Sequence, residues 1–377
     1  MDSREHIFAD MPAGLPGRKI CATFGLGTLT SADRMDGTRN LSFVCHTSTG
    51  QWFVRRRHEG YCDEKRIKFD HEAMFYLMNA GLPVKPPLPC SGENAWWHDG
   101  KNVWEAFEFV EGRPLRDGNK QDAAFLGTAL GDFHRAGAGF KLRYEKLGAR
   151  GETDPEQLMS NAEKLKVSLR SEGGGPAAPR AGSLSGESAA TERDGHLMIG
   201  LENDTSDLDH VLAPYERLIA QAARDFTGAA CSALPQTLVH GDIQPANIIM
   251  GDDGVNAFVD FDWCAWRPRI YDLAFAVLFC CSFHEHPLGN GDIWALTQTP
   301  EFNAEAMESF MNVYGKNAGV LSDEERKYFG AQMVLAWCHA RIDGAFKVPR
   351  QERKNFLARS LPKDIFFTLS TYSTLNC

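Results

Sequence analysis

One stretch limits the possible folds of this chain more than any other: Val239-His240-Gly241-Asp242-Ile243-Gln244-Pro245-Ala246-Asn247-Ile248-Ile249, followed closely by Ala257-Phe258-Val259-Asp260-Phe261-Asp262. The two apolar runs are separated by the turn Gly251-Asp252-Asp253-Gly254, so they read as a β-hairpin. Closing that hairpin returns Asp260 to the side of Asn247, where an amide and a carboxylate converge as hard oxygen ligands. Asp242 lies on the same short loop, placed to orient a hydroxyl and take its proton. These are the parts that phosphoryl transfer to an alcohol needs. Each aspartate alone could be a turn or cap residue; the three in this order favour chemistry.

The rest of the chain divides around this hairpin. From about Ile20 to Val110 the pattern is strand-rich, with short runs at Leu41–His46 and Gln51–Arg57 on either side of Thr47-Ser48-Thr49-Gly50. Apolar residues at helical spacing from Ile67 to Ala80 predict one helix, with Phe69, Ala73, Leu77 and Ala80 on one face and a stop at Gly81. A second hairpin, Glu93–Trp97 and Val103–Val110, turns at His98-Asp99-Gly100, and Glu111-Gly112-Arg113-Pro114 reads as a boundary between lobes. Helices dominate beyond it: Asp122–Ala136 with Phe125, Ala129 and Phe133 in phase, Asp207–Ala223, and everything from Asp272 onward. Between them, residues 171–195 are Gly-, Ser- and Ala-rich and cannot bury enough to order themselves, which predicts a disordered surface insertion. The expected architecture is α+β and bilobal: a small β-rich lobe over residues 1–112 and a larger helical lobe over 113–377.

Length and charge narrow the function classes. A chain of 377 residues can bury a core for two lobes. Its net charge of -10 argues against nucleic acid as a partner. No apolar stretch reaches a membrane span, the first residues lack the apolar core of a signal peptide, and the ten cysteines show no CxxC or zinc spacing. Free thiols in a reducing, cytoplasmic compartment follow from that pattern.

With these residues in view, the chain resembles the aminoglycoside phosphotransferase and choline kinase superfamily, the small-molecule relatives of protein kinases. The resemblance runs from about Gly37 to Cys281 and is most specific from His240 to Asp272. Members read His-Gly-Asp then Asn, an Ile-Asp-Phe or Ile-Asp-Trp strand, then Asp-Leu-Ala, and this chain has Tyr271-Asp272-Leu273-Ala274 for the last. The resemblance implies a protein-kinase-like fold and ATP with Mg2+ as cofactors. It implies Asp242 as catalytic base, Asn247 and Asp260 as metal ligands, and Asp272 as a brace for the loop. Protein kinases have Gly where Asp262 stands and Arg where Gly241 stands, so both departures point to a small-molecule hydroxyl acceptor.

Other roles leave alternatives open. In Phe53-Val54-Arg55-Arg56-Arg57, Arg55 stands where relatives carry the basic residue that touches phosphate, and Arg57 shares its face; a solvated arginine edge is the other reading. Asp70, or else Glu72, would be its carboxylate partner on the helix. The loop Asp36-Gly37-Thr38-Arg39-Asn40 would cover the phosphates through Gly37 and Asn40, with Gly25-Leu26-Gly27 as a competitor. Main-chain groups of Glu108 to Val110 would take adenine, although a plain buried strand fits the same residues. His284-Glu285-His286 reads as a surface turn. Asp262 and Trp263 are candidate contacts for an amine-bearing acceptor, while Trp266 and Trp337 fit either that pocket or the core. An atypical protein kinase lacks support here, because no Gly follows Asp260-Phe261 and no Ala-Pro-Glu is present. A catalytically silent nucleotide-binding module would not need Asp242, Asn247 and Asp260 together. The acceptor's identity, the choice between ATP and GTP, and the oligomeric state are not legible in the sequence.

Overall fold

The computed structural model describes residues 17–35, 40–90, 94–144, 146, 154–170, 206–288 and 292–359. The expected insertion at 171–195 lies outside them, as do Gly37 and three of its loop neighbours.

Strand alternation decides what each face of the first sheet does. Strands β1 (Leu29–Met35), β2 (Leu41–Thr47), β3 (Gly50–Arg56), β4 (Trp97–His98) and β5 (Val103–Glu108) form an antiparallel sheet of order β1-β2-β3-β5-β4. In β3 and β5 the register sets Val54 opposite Ala106 and Arg55 opposite Glu105. Val54, Ala106 and Trp104 therefore point one way, into an apolar cluster with Ile20, Cys21 and Phe24. Those last three belong to helix α1 (Gly17–Phe24), a segment that the sequence pattern assigned to strand-rich territory. Its amphipathic run is only eight residues long, too short for periodicity to separate helix from strand. Arg55 and Glu105 point the other way.

Helix α2 (Glu64–Asn79) packs on that second, charged face. Asp63 caps it by accepting from the Arg66 amide at 3.0 Å, and the chain turns out of it at Gly81, whose φ is +82°. Its buried face includes Ile67, Phe69, Ala73 and Leu77, but Ala80, expected there, is exposed because the helix ends first. The segment after α2 runs on to the catalytic hairpin, where the Phe258 amide donates to the Pro83 carbonyl at 2.8 Å.

The remaining chain is mostly helical. It comprises α3 (Lys120–Gly137), α4 (Pro155–Arg170), α5 (Ser206–Asp225), α6 (Gly228–Ala233), α7 (Ile270–Phe275), α8 (Ala304–Ala318), α9 (Asp323–Lys347) and α10 (Arg353–Ala358). Small sheets are set among them: β6 (Arg113–Pro114) with β8 (Ile248–Met250) and β9 (Val255–Phe258), β7 (Gln236–Val239) with β10 (Ala265–Pro268), and β11 (Ser282–Phe283) with β12 (Glu301–Phe302). In α3 the fully buried apolar residues are Ala123, Leu126, Leu130 and Phe133, so the apolar face is rotated from the expected line through Phe125 and Ala129. The α+β arrangement of a β-rich region followed by a helical one is as the sequence predicted. No helix among the described residues is long and apolar enough to cross a membrane, and the nine cysteines described are free thiols.

Helices α3 and α8 cross where glycines remove the side chains between them. A Cβ at Gly127 would lie 2.6 Å from the Phe310 carbonyl oxygen. Gly127→Val should therefore cost about 1–3 kcal/mol of stability by overpacking. Gly228→Ala, where an added methyl meets open space, should change it by less than about 1 kcal/mol. Urea unfolding of both variants measures the contrast, and equal midpoints would contradict the packing account.

Candidate active site

The His240-Gly241-Asp242 loop leaves β7 and is held from behind by one buried carboxylate. Asp272, at the start of α7, accepts from the amides of His240 (2.7 Å) and Gly241 (2.8 Å). His134 of α3 donates to the same carboxylate from Nε2 at 3.0 Å, and its Nδ1 lies 2.8 Å from the Tyr314 hydroxyl of α8. Gly241 has φ +86°, and a Cβ there would sit 2.1 Å from the Trp263 carbonyl oxygen. Only glycine allows this approach. The His240 ring is pushed toward the neutral form by burial, and its Nε2 donates to the Val259 carbonyl at 3.0 Å.

The hairpin brings the oxygen donors together. The Val259 amide donates to the Asn247 carbonyl at 3.0 Å, one residue before Asp260. The Asn247 side-chain amide donates to the Asp242 carboxylate (2.8 Å) and carbonyl (2.9 Å), so its own oxygen is the group it can offer a cation. Gln244 also donates to the Asp242 carboxylate, at 2.9 Å. Asp260 is the one non-glycine residue with positive φ among those described, at +65°. That conformation costs about 1–3 kcal/mol and turns the chain from β9 into the Phe261–Trp263 turn.

Two arginines face these carboxylates, Arg55 on β3 and Arg57 one residue past its end, where the Arg57 amide still donates to the Val103 carbonyl at 2.9 Å. Arg55 Nε donates to Glu105 at 2.7 Å, while Nη1 and Nη2 reach Asp260 (3.2 Å) and Asp262 (3.1 Å). Arg57 donates to Glu105 and to Asp70, both at 2.9 Å. His71 Nε2 lies 2.5 Å from Glu105, and Lys146 Nζ pairs with Asp70 and donates to the Cys264 carbonyl at 2.8 Å. Burial alone would raise the Glu105 carboxyl, but Arg55 and Arg57, with His71, hold it well below the usual range. Burial likewise opposes ionisation of Asp262, yet the same arginines and Asn40 hold it down at about 2. Asp260 goes the other way: burial, Asp262 and Asp242 push it up to about 7 against the pull of Arg55. Asp260 keeps 41% of its side chain exposed, and the negative charge of Asp262 and Asp242 beside it outweighs its one contact with Arg55 at 3.2 Å. Asp260 and the Asn247 oxygen thus fit the magnesium ion that the sequence implied, a hard cation bound through few protein ligands.

Several expectations change. Arg55 pairs with Glu105, not with Asp70, because the register puts Glu105 directly opposite it. Asp70 belongs to Arg57 and Lys146, and Glu72 pairs outward with Arg143 at 3.1 Å. Asp262, expected to face an acceptor, is buried with a side chain 3% exposed and accepts from Asn40 at 2.7 Å. Asn40 also accepts from the His58 amide at 2.9 Å, so its side chain joins β2 to this cluster. The Trp263 ring packs edge-on to Tyr61 and under the Arg66 guanidinium. Glu108 is exposed and pairs with Lys85 at 2.8 Å, and Val110 follows at the end of β5. Trp337 is core, stacked on Tyr215. His284 is no surface turn residue: its buried ring pairs with Asp117 at 2.9 Å. Glu105, Lys146 and His134 were missed, since no local motif marks them.

A profile described as the phosphotransferase enzyme family matches residues 34–306, the span that carries the His240–Asp242 loop, the hairpin and the buried ion-pair cluster. The chain belongs to this family. It is an enzyme that transfers phosphate to an alcohol group of a small molecule. The homoserine kinase of Parvibaculum lavamentivorans is 26% identical over 263 residues, spanning 69% of this chain and 67% of that protein. That of Afipia carboxidovorans is 23% identical over 296 residues, 78% and 72% of the two chains. Among solved structures, a microcompartment-associated aminopropanol kinase superposes with a TM-score of 0.59 at 14% identity, covering 94% of this chain and all of that one. An amicoumacin kinase, solved with AMP-PNP and Ca2+, gives 0.55 at 15% identity over 92% and 96%. These likenesses establish a kinase-like fold for this phosphotransferase.

In this family member the loop's shape rests on one missing side chain. Gly241→Ala should lower turnover by about 100-fold or more, the scale of a 1 Å misplacement at a reacting group. Steady-state kinetics beside circular dichroism checks this. Near-normal turnover would mean that the Trp263 carbonyl can move aside freely.

Proposed function

We propose that this phosphotransferase moves the γ-phosphate of ATP to the hydroxyl of a small acceptor that carries an amine. The observation that carries the reading is the hairpin geometry: Asp242 bonded to Asn247 on one loop, with Asp260 returned beside them. In this reading the acceptor oxygen attacks the γ-phosphorus, the bond to the bridging oxygen of ADP breaks, and Asp242 receives the hydroxyl proton. Magnesium held by Asn247 and Asp260 would neutralise phosphate charge. Arg55 faces the phosphates from β3, and main-chain groups of Glu108 to Val110 take adenine. The free thiols suit the reducing, cytoplasmic setting proposed for it.

The amine has two supports. The relatives are named for homoserine and aminopropanol, each a hydroxyl compound with an amine. The second is Asp117, which takes over the role expected of Asp262. The Leu115 amide donates to the Pro245 carbonyl of the catalytic loop at 3.3 Å, and the Gly118 amide to the Cys280 carbonyl at 2.9 Å. Asp117, paired with His284 at 2.9 Å, is thereby held beside the catalytic loop, where its carboxylate would attract an ammonium group through the 12% of its side chain left exposed.

ADP release from paired acceptors tests this, with homoserine against 4-hydroxybutyrate and 1-amino-2-propanol against 1,2-propanediol. The amine-bearing member should show a kcat/KM higher by about tenfold or more, and Asp242→Asn should cut turnover by about 10²–10⁴. Equal efficiency within each pair would remove the amine. Turnover of Asp242→Asn within threefold of wild type would remove Asp242 from the mechanism.

A further inference from the structure

The carboxylate that orients the phosphate-facing arginine comes from a neighbouring strand. We propose that Glu105 on β5 is a positioning residue for the nucleotide, holding Arg55 in its working orientation, while Asp70 on α2 fastens that helix to the catalytic segment. This rests on the assignment of Arg55 to the phosphates made above.

The geometry separates the two jobs. Arg55 gives its inner nitrogen, Nε, to Glu105 at 2.7 Å, which leaves both outer nitrogens directed at Asp260 and Asp262. A guanidinium fixed at its inner end presents its fork in one direction only. Glu105 itself cannot turn away, because it is wholly buried and also held by Arg57 at 2.9 Å and His71 at 2.5 Å. The β3–β5 register sets the distance between Glu105 and Arg55, so their contact does not depend on where α2 sits. Asp70 is meanwhile engaged by Arg57 and Lys146, and Lys146 reaches the Cys264 carbonyl. Arg66 adds a bond from the same helix to the Asp262 carbonyl at 2.6 Å. Helix α2 is thus bolted to the Phe261–Cys264 turn, and its carboxylate does not aim Arg55. The Arg55–Asp260 contact, the longest of Arg55's three at 3.2 Å, is the one that incoming phosphates would replace.

Calorimetric titration of the full chain with ADP and with a non-hydrolysable ATP analogue, each with magnesium, tests the proposal without turnover. Glu105→Gln keeps the shape and removes the charge. It should weaken nucleotide binding by about tenfold, the scale of one charge-assisted hydrogen bond, with a matching rise in KM for ATP and kcat changed less than about threefold. Asp70→Asn should lower the melting temperature and leave nucleotide affinity within about twofold. Adding Arg55→Gln to Glu105→Gln should bring little further loss, because one contact is already gone. If Glu105→Gln does not fold, Arg55→Lys serves instead, since an ammonium cannot span Glu105 and the cleft together; the same tenfold loss is expected. Wild-type affinity in Glu105→Gln or Arg55→Lys, or an equal loss in Asp70→Asn, overturns the proposal. The outcomes are distinguishable from failure of the proposed reaction. Asp242→Asn reports on the reaction through turnover alone, and wild-type affinity in Arg55→Gln would withdraw the phosphate assignment itself.

Discussion

Two guanidinium groups buried against one carboxylate hold the catalytic half of this molecule to its first sheet. Removing Arg55, Arg57 and Glu105 from water costs several kcal/mol per ion, and only close pairing with full hydrogen bonding recovers it. The cluster answers the pairing part of that demand by alternating signs: Arg55 on β3 and Arg57 just after it, Glu105 on β5, Asp70 on α2, and Asp260 and Asp262 on the catalytic turn, with Arg57 Nη2 left without a hydrogen-bond partner among the described residues. Lys146 extends it to the chain after α3, and burial, more than Asp70 can offset, pushes its ammonium down. An apolar core of the same volume could be as stable. What the charges supply is direction, because an apolar contact would not orient a fork of donors toward Asp260.

A second constraint acts on the backbone. Gly241 lies against the Trp263 carbonyl, and the left-handed Asp260 opens the turn that carries Trp263, so the loop can approach because it has no side chain there and the turn forms at the cost of strain. Asp272 and His134 secure the loop from behind, linking it to α3 and α8. Strain at Asp260 is thus opposed by hydrogen bonds placed elsewhere, as expected of a site whose geometry is over-determined.

Legibility in the sequence followed the range of the interactions. The β-rich then helical order, α2 with its stop at Gly81, and the hairpin joining Asn247 to Asp260 all come from signals within a dozen residues. Glu105 and Lys146 could not be read, because their partners lie 50 and 76 residues away and depend on strand register and on helix docking. Asp262 misled for the same reason. A carboxylate next to a metal ligand looks available for substrate, and only the fold shows Arg55, Arg57 and Asn40 already on it. Asp70 does pair from its helix with an arginine, but with Arg57 and not with Arg55. Residues 55 and 57 share a face, so the sequence holds nothing to separate them.

The two sides of the cleft are built by different means, and this bears on specificity. On the side proposed for the nucleotide, positions are set by β3–β5 register and buried ion pairs, which tolerate little change. On the side of Asp117 and His284, the segments 115–119 and 280–284 are joined by the main-chain bond from Gly118 to Cys280, and the Asn303 amide holds the Cys281 carbonyl. Main-chain bonds persist whatever the side chains are, so residues there can vary while the loops keep their places. Such a division suits a fold on which function is varied by loops carried on a scaffold. In the proposed reading, the Asp117–His284 pair lies where the main chain holds the loops, and Glu105 where buried ion pairs do.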